Sequence, residues 1–295
     1  MRYAINLPNV GEYSDPQILA EIAHDAEAAG WDGVFVWDHM LVSIVPPLPA
    51  TDPWIALAAI ALSTERVKIG PMVTPLARRN PSKVARELIT LDRLSGGRTT
   101  LGVGLGAPVE SEFEVFGEES DAKIRAGKLD EALEVVAGLC SGQPFQYSGQ
   151  YYQIQETALA LKPIQPHIPI WVAGWWPNKA PMRRAARWDG AYPVEVEVID
   201  GELKVFQMSP DTAHTIVEYI GRHRTTAAPF DMVVSYDFPA DDPAKCAEVV
   251  QMYAEVGVTW MIQEFMPWGT TPAQTRERVC QGPPLVEYHV SGSLL

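Results

Sequence analysis

His39 directly follows the apolar run Gly33-Val34-Phe35-Val36-Trp37. A histidine at a strand end suits proton transfer, because its unperturbed pKa is about 6.5. A histidine merely hydrogen-bonded into the loop is the plainer alternative. Its neighbour Asp38 is read as pointing to the other side and structuring the loop. Two carboxylates, Glu110 and Glu264, fall near the ends of other apolar runs. Glu110 would polarise a substrate or pair with His39, so His39 and Glu110 are the candidate catalytic residues. Either glutamate also reads as an ordinary solvated surface group.

The stretch Leu101-Gly102-Val103-Gly104-Leu105-Gly106-Ala107 satisfies the dinucleotide pattern G-x-G-x-x-G/A. That pattern should end a strand and open directly into a helix holding pyrophosphate. Here the glycines alternate, which is the period of one strand face. The residues that follow, Pro108 to Phe113, open an acidic segment. Gly102, Gly104 and Gly106 are therefore read as leaving room for a planar ring, with Gly104 and Gly106 as cofactor-binding candidates. The alternative is that they relieve crowding inside the fold. The segment Ala173-Gly174-Trp175 ends another apolar run before a predicted helix, whose free N–H groups suit a phosphate.

These groups need a frame that brings strand ends together. Apolar runs alternate with amphipathic helical patterns along the whole chain. The runs are Tyr3 to Leu7, Gly33 to Trp37, Val67 to Thr74, Thr99 to Gly104, Pro169 to Ala173, Gly190 to Val194, Asp231 to Tyr236 and Thr259 to Glu264. Eight such units imply parallel strands covered on both faces. The predicted fold class is α/β, a (β/α)8 TIM barrel in a single domain over residues 1–295. A doubly wound sheet is the runner-up. Gln143 to Gln155, turned at Ser148-Gly149, reads as a β-hairpin inserted after the fourth helix. In a barrel, the C-terminal strand ends form one rim: Asn6, Asp38-His39, Thr74, Gly106 with Glu110, Gly174-Trp175-Trp176, Glu195, Tyr236-Asp237 and Glu264.

Bulk properties narrow the classes. The 295 residues carry a net charge of −14 and show no basic stripe, which argues against nucleic acid and acidic membranes. Three scattered cysteines form no metal-ligand spacing and no disulfide framework, so no metal site is expected. That cysteine usage, a polar N-terminus and the lack of a long apolar run lead us to expect a cytoplasmic protein.

LDRLSGGRTTLGVGLGA closely resembles a segment of the luciferase-like flavin-dependent oxidoreductases (monooxygenases), which include coenzyme F-420-dependent members. AEAAGWDGVFVWDHM, KIGPMVTPLARRNP, SGQPFQYSGQYYQI and PIWVAGWWPNKAPMRRAARWDGAY resemble further segments of that family, in the same order. The last third, from about Val196 to Gly221 and beyond Glu264, departs from it. The resemblance implies a TIM barrel using FMN or the deazaflavin F-420. It supports a functional role for His39. It implies a non-proline cis peptide at Met72-Val73, packed behind the flavin with Thr74. It implies a phosphate site at Gly174-Trp175, where two tryptophans replace the family's small hydroxyl residue, and an arginine, Arg125, able to reach that phosphate. It also implies a homodimer through the second and third helices.

Reduced FMN would support oxygenation of a small organic substrate, whereas F-420 would support hydride transfer. His39 and the Arg79-Asn80-Pro81 turn lean towards F-420. A barrel hydrolase using paired carboxylates such as Glu110 and Glu264, or a non-catalytic flavin-binding protein, are the alternatives. Neither a G-x-S-x-G elbow nor an H-E-x-x-H motif is present.

Overall fold

The computed structural model describes residues 1–200, 202–238 and 243–284; the expected domain extends to residue 295, so its last eleven residues lie outside that description. In chain order the elements are β1 (Arg2–Leu7), α1 (Pro16–Ala28), β2 (Gly33–Val36), α2 (Pro53–Ser63), β3 (Lys68–Pro71), β4 (Thr74–Pro75), α3 (Pro81–Leu94) and β5 (Leu101–Gly104). There follow α4 (Val109–Glu112), α5 (Ala122–Cys140), β6 (Phe145–Ser148), β7 (Gln153–Thr157), β8 (Ile170–Trp176) and α6 (Lys179–Ala185). The rest are β9 (Gly190–Ile199), β10 (Glu202–Phe206), α7 (Pro210–Gly221), β11 (Asp231–Ser235), α8 (Pro243–Glu255), β12 (Trp260–Glu264) and α9 (Pro272–Cys280).

A recurring two-residue signal starts the helices. Asp15-Pro16, Asp52-Pro53, Asn80-Pro81, Ser209-Pro210 and Thr271-Pro272 each place a capping side chain before a proline at the first helical position. The cap accepts otherwise unsatisfied N–H groups, and proline has no N–H to leave unsatisfied there.

The strands run in the order β3-β2-β1-β12-β11-β9-β8-β5-β4, and every neighbouring pair on that path is parallel. β3 and β4 are two halves of one barrel strand interrupted at Met72-Val73. β3 bonds to β2 and β4 bonds to β5, so the ring of eight closes as a TIM-like barrel. β6 and β7 form the expected separate antiparallel hairpin after α5, the fourth of the long helices.

Three expectations change. β8 runs to Trp176 rather than stopping at Ala173, because Gly174 and Trp175 pair with Pro193 and Val194. β9 runs to Ile199 rather than Val194 and folds back on β10 as a second antiparallel hairpin at the barrel mouth. The short helix α4, absent from the sequence reading, follows β5.

Candidate active site

Strand parity decides what faces the barrel axis. Ala4, Phe35, Met72, Trp171, Tyr192, Val233, Trp260 and Ile262 form an interior cluster separate from the outer core beneath the helices. Phe35, Trp171 and Trp260 fill the lower interior with ring centroids 5.3 to 6.3 Å apart. Arg2 covers Trp260, its guanidinium 4.5 Å from the ring. Two residues further along the strands, the same face carries Asn6, Trp37, Ala173, Ser235 and Glu264 at the C-terminal mouth.

Glu264 collects donors from across the ring. Asn6 Nδ2 lies 3.1 and 3.0 Å from its two oxygens, Ser235 Oγ 3.2 Å and Trp37 Nε1 3.4 Å away, and the Tyr192 hydroxyl also donates to it. Burial pushes the Glu264 carboxyl above the usual carboxylate range, and these neutral hydrogen bonds recover only part of that shift. Burial and the neighbouring carboxylate likewise push the Tyr192 hydroxyl well above its ordinary value.

His39 belongs to a second network. Its Nδ1 lies 2.9 Å from Glu112 Oε1. Glu112 also accepts the N–H groups of Met40 and Leu41 and a charged bond from Arg78. Burial would raise the Glu112 pKa. The bonds from His39 and Met40 and the charges of His39 and Arg78 outweigh it and hold the group down at about 2. Glu112 is therefore a carboxylate at neutral pH. It can only accept, so Nδ1 carries the proton and the lone pair of neutral His39 sits on Nε2. No described residue bonds Nε2, and the imidazole is partly exposed. Asn9 clamps the backbone on both sides of this residue, donating to His39 O at 2.8 Å and accepting from His39 N at 3.1 Å.

Asp38 does structure the loop. It is buried and accepts from the Thr74 hydroxyl, from Arg78 and in bidentate fashion from Arg79 at 3.0 and 2.6 Å. Thr74 is thus buried with its hydroxyl engaged. The expected pairing of Glu110 with His39 does not occur. Residues two apart on a helix face different ways, and in α4 it is Glu112 that turns inward while Glu110 is exposed. Glu110 and Glu264 likewise share no hydrogen bond.

The Met72-Val73 peptide is cis, as the resemblance implied. The space beside the glycines of β5 is already filled. A Cβ on Gly102 would meet the Pro71 carbonyl oxygen at 2.3 Å, and one on Gly104 would meet Val73 Cγ2 at 2.8 Å. Those two glycines relieve crowding against the interrupted strand, rather than leaving an open slot. Gly106 has φ +82°, a backbone conformation that suits glycine. Arg125 is buried. Its Nη1 holds the carbonyls of Leu105 and Gly106 at 2.9 and 3.1 Å, and its guanidinium lies over the Phe113 ring. Val73 and Ala173 cap the interior cluster and stay partly exposed, and Trp175 is 46% exposed above them. Together they make an apolar shelf at the mouth.

Tyr236 and Asp237 turn away from the axis: Tyr236 packs on Phe238 and Tyr253, and Asp237 bonds Gln263. Glu195 lines a side cavity of about 490 Å³ with Trp176, Glu197 and Phe206. The sequence reading missed Glu112, Arg78, Tyr192 and Ser235. Strand parity pointed to the last two: Ser235 ends its strand two residues after Val233, and Tyr192 sits level with Ala173 in the next strand.

Comparison with known proteins agrees with this architecture. A family model described as luciferase-like monooxygenase matches residues 1–194. F420-dependent glucose-6-phosphate dehydrogenase of Amycolatopsis mediterranei (strain U-32) is 36% identical over 171 residues, covering 56% of this chain and 50% of that protein. The chain spans about half the length of the curated relatives it matches. Among solved structures, coenzyme F420-dependent tetrahydromethanopterin reductase from Methanopyrus kandleri superposes with TM-score 0.73 at 17% identity, covering 95% of this chain and 97% of that one. A long-chain alkane monooxygenase superposes equally well, with TM-score 0.73 at 16% identity over 95% of this chain and 90% of that one. At such identities the structural likeness speaks for the fold.

Proposed function

We propose that this chain, which belongs to the luciferase-like monooxygenase family, is an F420- or FMN-dependent oxidoreductase in which His39 handles the proton. The observation that carries the reading is the His39–Glu112 pair at 2.9 Å, which leaves Nε2 unbonded at the mouth. A buried carboxylate fixing one imidazole nitrogen orients the other and stabilises the charged ring once it has taken a proton.

The shelf of Val73, Ala173 and Trp175, with Met72 beneath it, fits one face of a planar ring. A bound flavin or deazaflavin supplies hydride or oxygen chemistry there. The chain supplies the rest. The shelf orients the ring, the plugged interior excludes water from below, and His39 Nε2 accepts or returns a proton. Arg125 keeps Leu105-Gly106 in place and, with Gly174-Trp175, is the expected neighbour of a phosphate tail. Glu110, at the exposed start of α4, is kept as a candidate for substrate contact only.

F420 is favoured over FMN. The Amycolatopsis relative is named as F420-dependent, and His39 with the Arg79-Asn80-Pro81 turn leans the same way. The exposed Ile55 and Leu62 of α2 and Leu94 of α3 support a homodimer through those helices. Among the described residues no helix is long and apolar enough to cross a membrane, and we expect the protein in the cytoplasm.

Paired titrations of the purified chain with F420 and with FMN, read by ligand fluorescence, test the reading. Binding of F420 alone supports hydride transfer, binding of FMN alone shifts it to oxygen chemistry, and binding of neither overturns it.

A further inference from the structure

Every group that donates to Glu264 is neutral: Asn6, Tyr192, Ser235 and Trp37. Among the described residues no lysine, arginine or histidine hydrogen-bonds or ion-pairs with its carboxyl group. Neutral donors soften the desolvation of a buried carboxylate but leave its charge uncompensated.

Asn6 adds an independent observation. Its Nδ2 donates to Glu264 and, at 3.3 Å, to the Met72 carbonyl. That carbonyl can only accept, which fixes the amide orientation. Asn6 Oδ1 is then buried without any donor, in a residue that is 1% exposed. Buried acceptors left without a donor are rare in folded chains. A carboxyl group without a counter-charge and an amide oxygen without a donor thus belong to two bonded residues at the mouth.

A cationic N–H donor answers both needs. A metal ion does not, because no group of three histidine, cysteine, aspartate or glutamate side chains with metal-binding geometry occurs among the described residues. Trp37 donates to Glu264 and packs on His39 and Trp268, with ring centroids 5.4 and 6.2 Å away. Aromatic walls of this kind suit the carbon frame of an organic cation. Glu195 and Glu197 beside the mouth and the net charge of −14 favour approach of a cation.

We propose that Glu264, with Asn6 and Tyr192, receives the ammonium group of the substrate, which makes the substrate class an organic amine in its protonated form. This takes the oxidoreductase reading above as given for the site in which the amine reacts. The binding of the amine is testable without that reading.

The test titrates the chain with benzylammonium and, in parallel, with the neutral benzyl alcohol at neutral pH and constant ionic strength, following tryptophan fluorescence. Benzylammonium is expected to bind at least tenfold more tightly. Glu264→Gln removes that preference. Glu195→Gln, which changes the charge of the neighbouring cavity without touching Glu264, keeps it. Equal binding of the two probes to the unmodified chain overturns the proposal, as does a preference that survives in Glu264→Gln. Titration of the same three proteins with F420 and FMN separates the questions. Cofactor binding without an ammonium preference removes this proposal alone. An ammonium preference without cofactor binding removes the oxidoreductase reading alone.

Discussion

His39 Nδ1 and Glu112 Oε1 lie 2.9 Å apart although 73 positions separate them in the chain. The contact joins the loop after β2 to the short helix after β5. Glu112 is ionised while buried because Arg78 and two backbone N–H groups share it with the imidazole.

Glu112 should leave a signature in acid. Its folded pKa of about 2 lies below the ordinary value of 4.5. Its stabilising contribution is therefore complete above about pH 4.5 and is lost as pH falls towards 2. The shift corresponds to about 3 kcal/mol at neutral pH. Denaturant unfolding of the unmodified chain and of Glu112→Gln should differ by an amount of that order at pH 7. The gap should narrow below pH 4.5, and a gap that widens in acid contradicts the assignment.

His39→Asn should reduce kcat by about 100-fold or more while changing the Kd for F420 or FMN by less than about threefold. Steady-state kinetics on any substrate that turns over, together with cofactor titration, checks this. A loss of cofactor affinity with kcat unchanged would place the imidazole in binding.

Glu264→Gln should stabilise the chain at neutral pH. Here the folded pKa is raised, so the protonated form suits the folded state and stability is lost as pH rises through that value. Removing the charge removes the loss. The Tm difference between variant and unmodified chain should be small in acid and grow towards neutral pH, as scanning calorimetry at several pH values would show.

Two glycine substitutions should move stability in opposite directions. Gly102→Ala drives a Cβ into the Pro71 carbonyl oxygen at 2.3 Å and should cost about 1–3 kcal/mol. Gly221→Ala, at the end of α7 with nothing within 4 Å, should be neutral or stabilising by up to about 1 kcal/mol. Urea unfolding of both variants measures the difference.

The barrel was legible because its signals are local. Cap-proline pairs mark helix starts, and each barrel strand is a short apolar run. The rim positions of Asn6, His39 and Glu264 follow from strand ends alone. The His39 partner was not legible in the same way: Glu110 and Glu112 are equivalent as composition, and only the turn of α4 selects between them. The β9–β10 hairpin did carry a signal. Asp200-Gly201 stands between the alternating runs Val194 to Ile199 and Glu202 to Phe206, a sequence typical of tight hairpins. The glycines of β5 show the opposite limit. Their spacing says that a face is bare, and only the neighbouring strand tells what fills it.

Phe35, Trp171 and Trp260 close the barrel from below, with Arg2 beneath them. Whatever enters must leave by the door it came through. A ring seated deepest against Met72 would have to arrive first and depart last, and any second molecule would bar its exit. With the proposed ring in that place, the order of binding should be fixed, and product-inhibition patterns would record it.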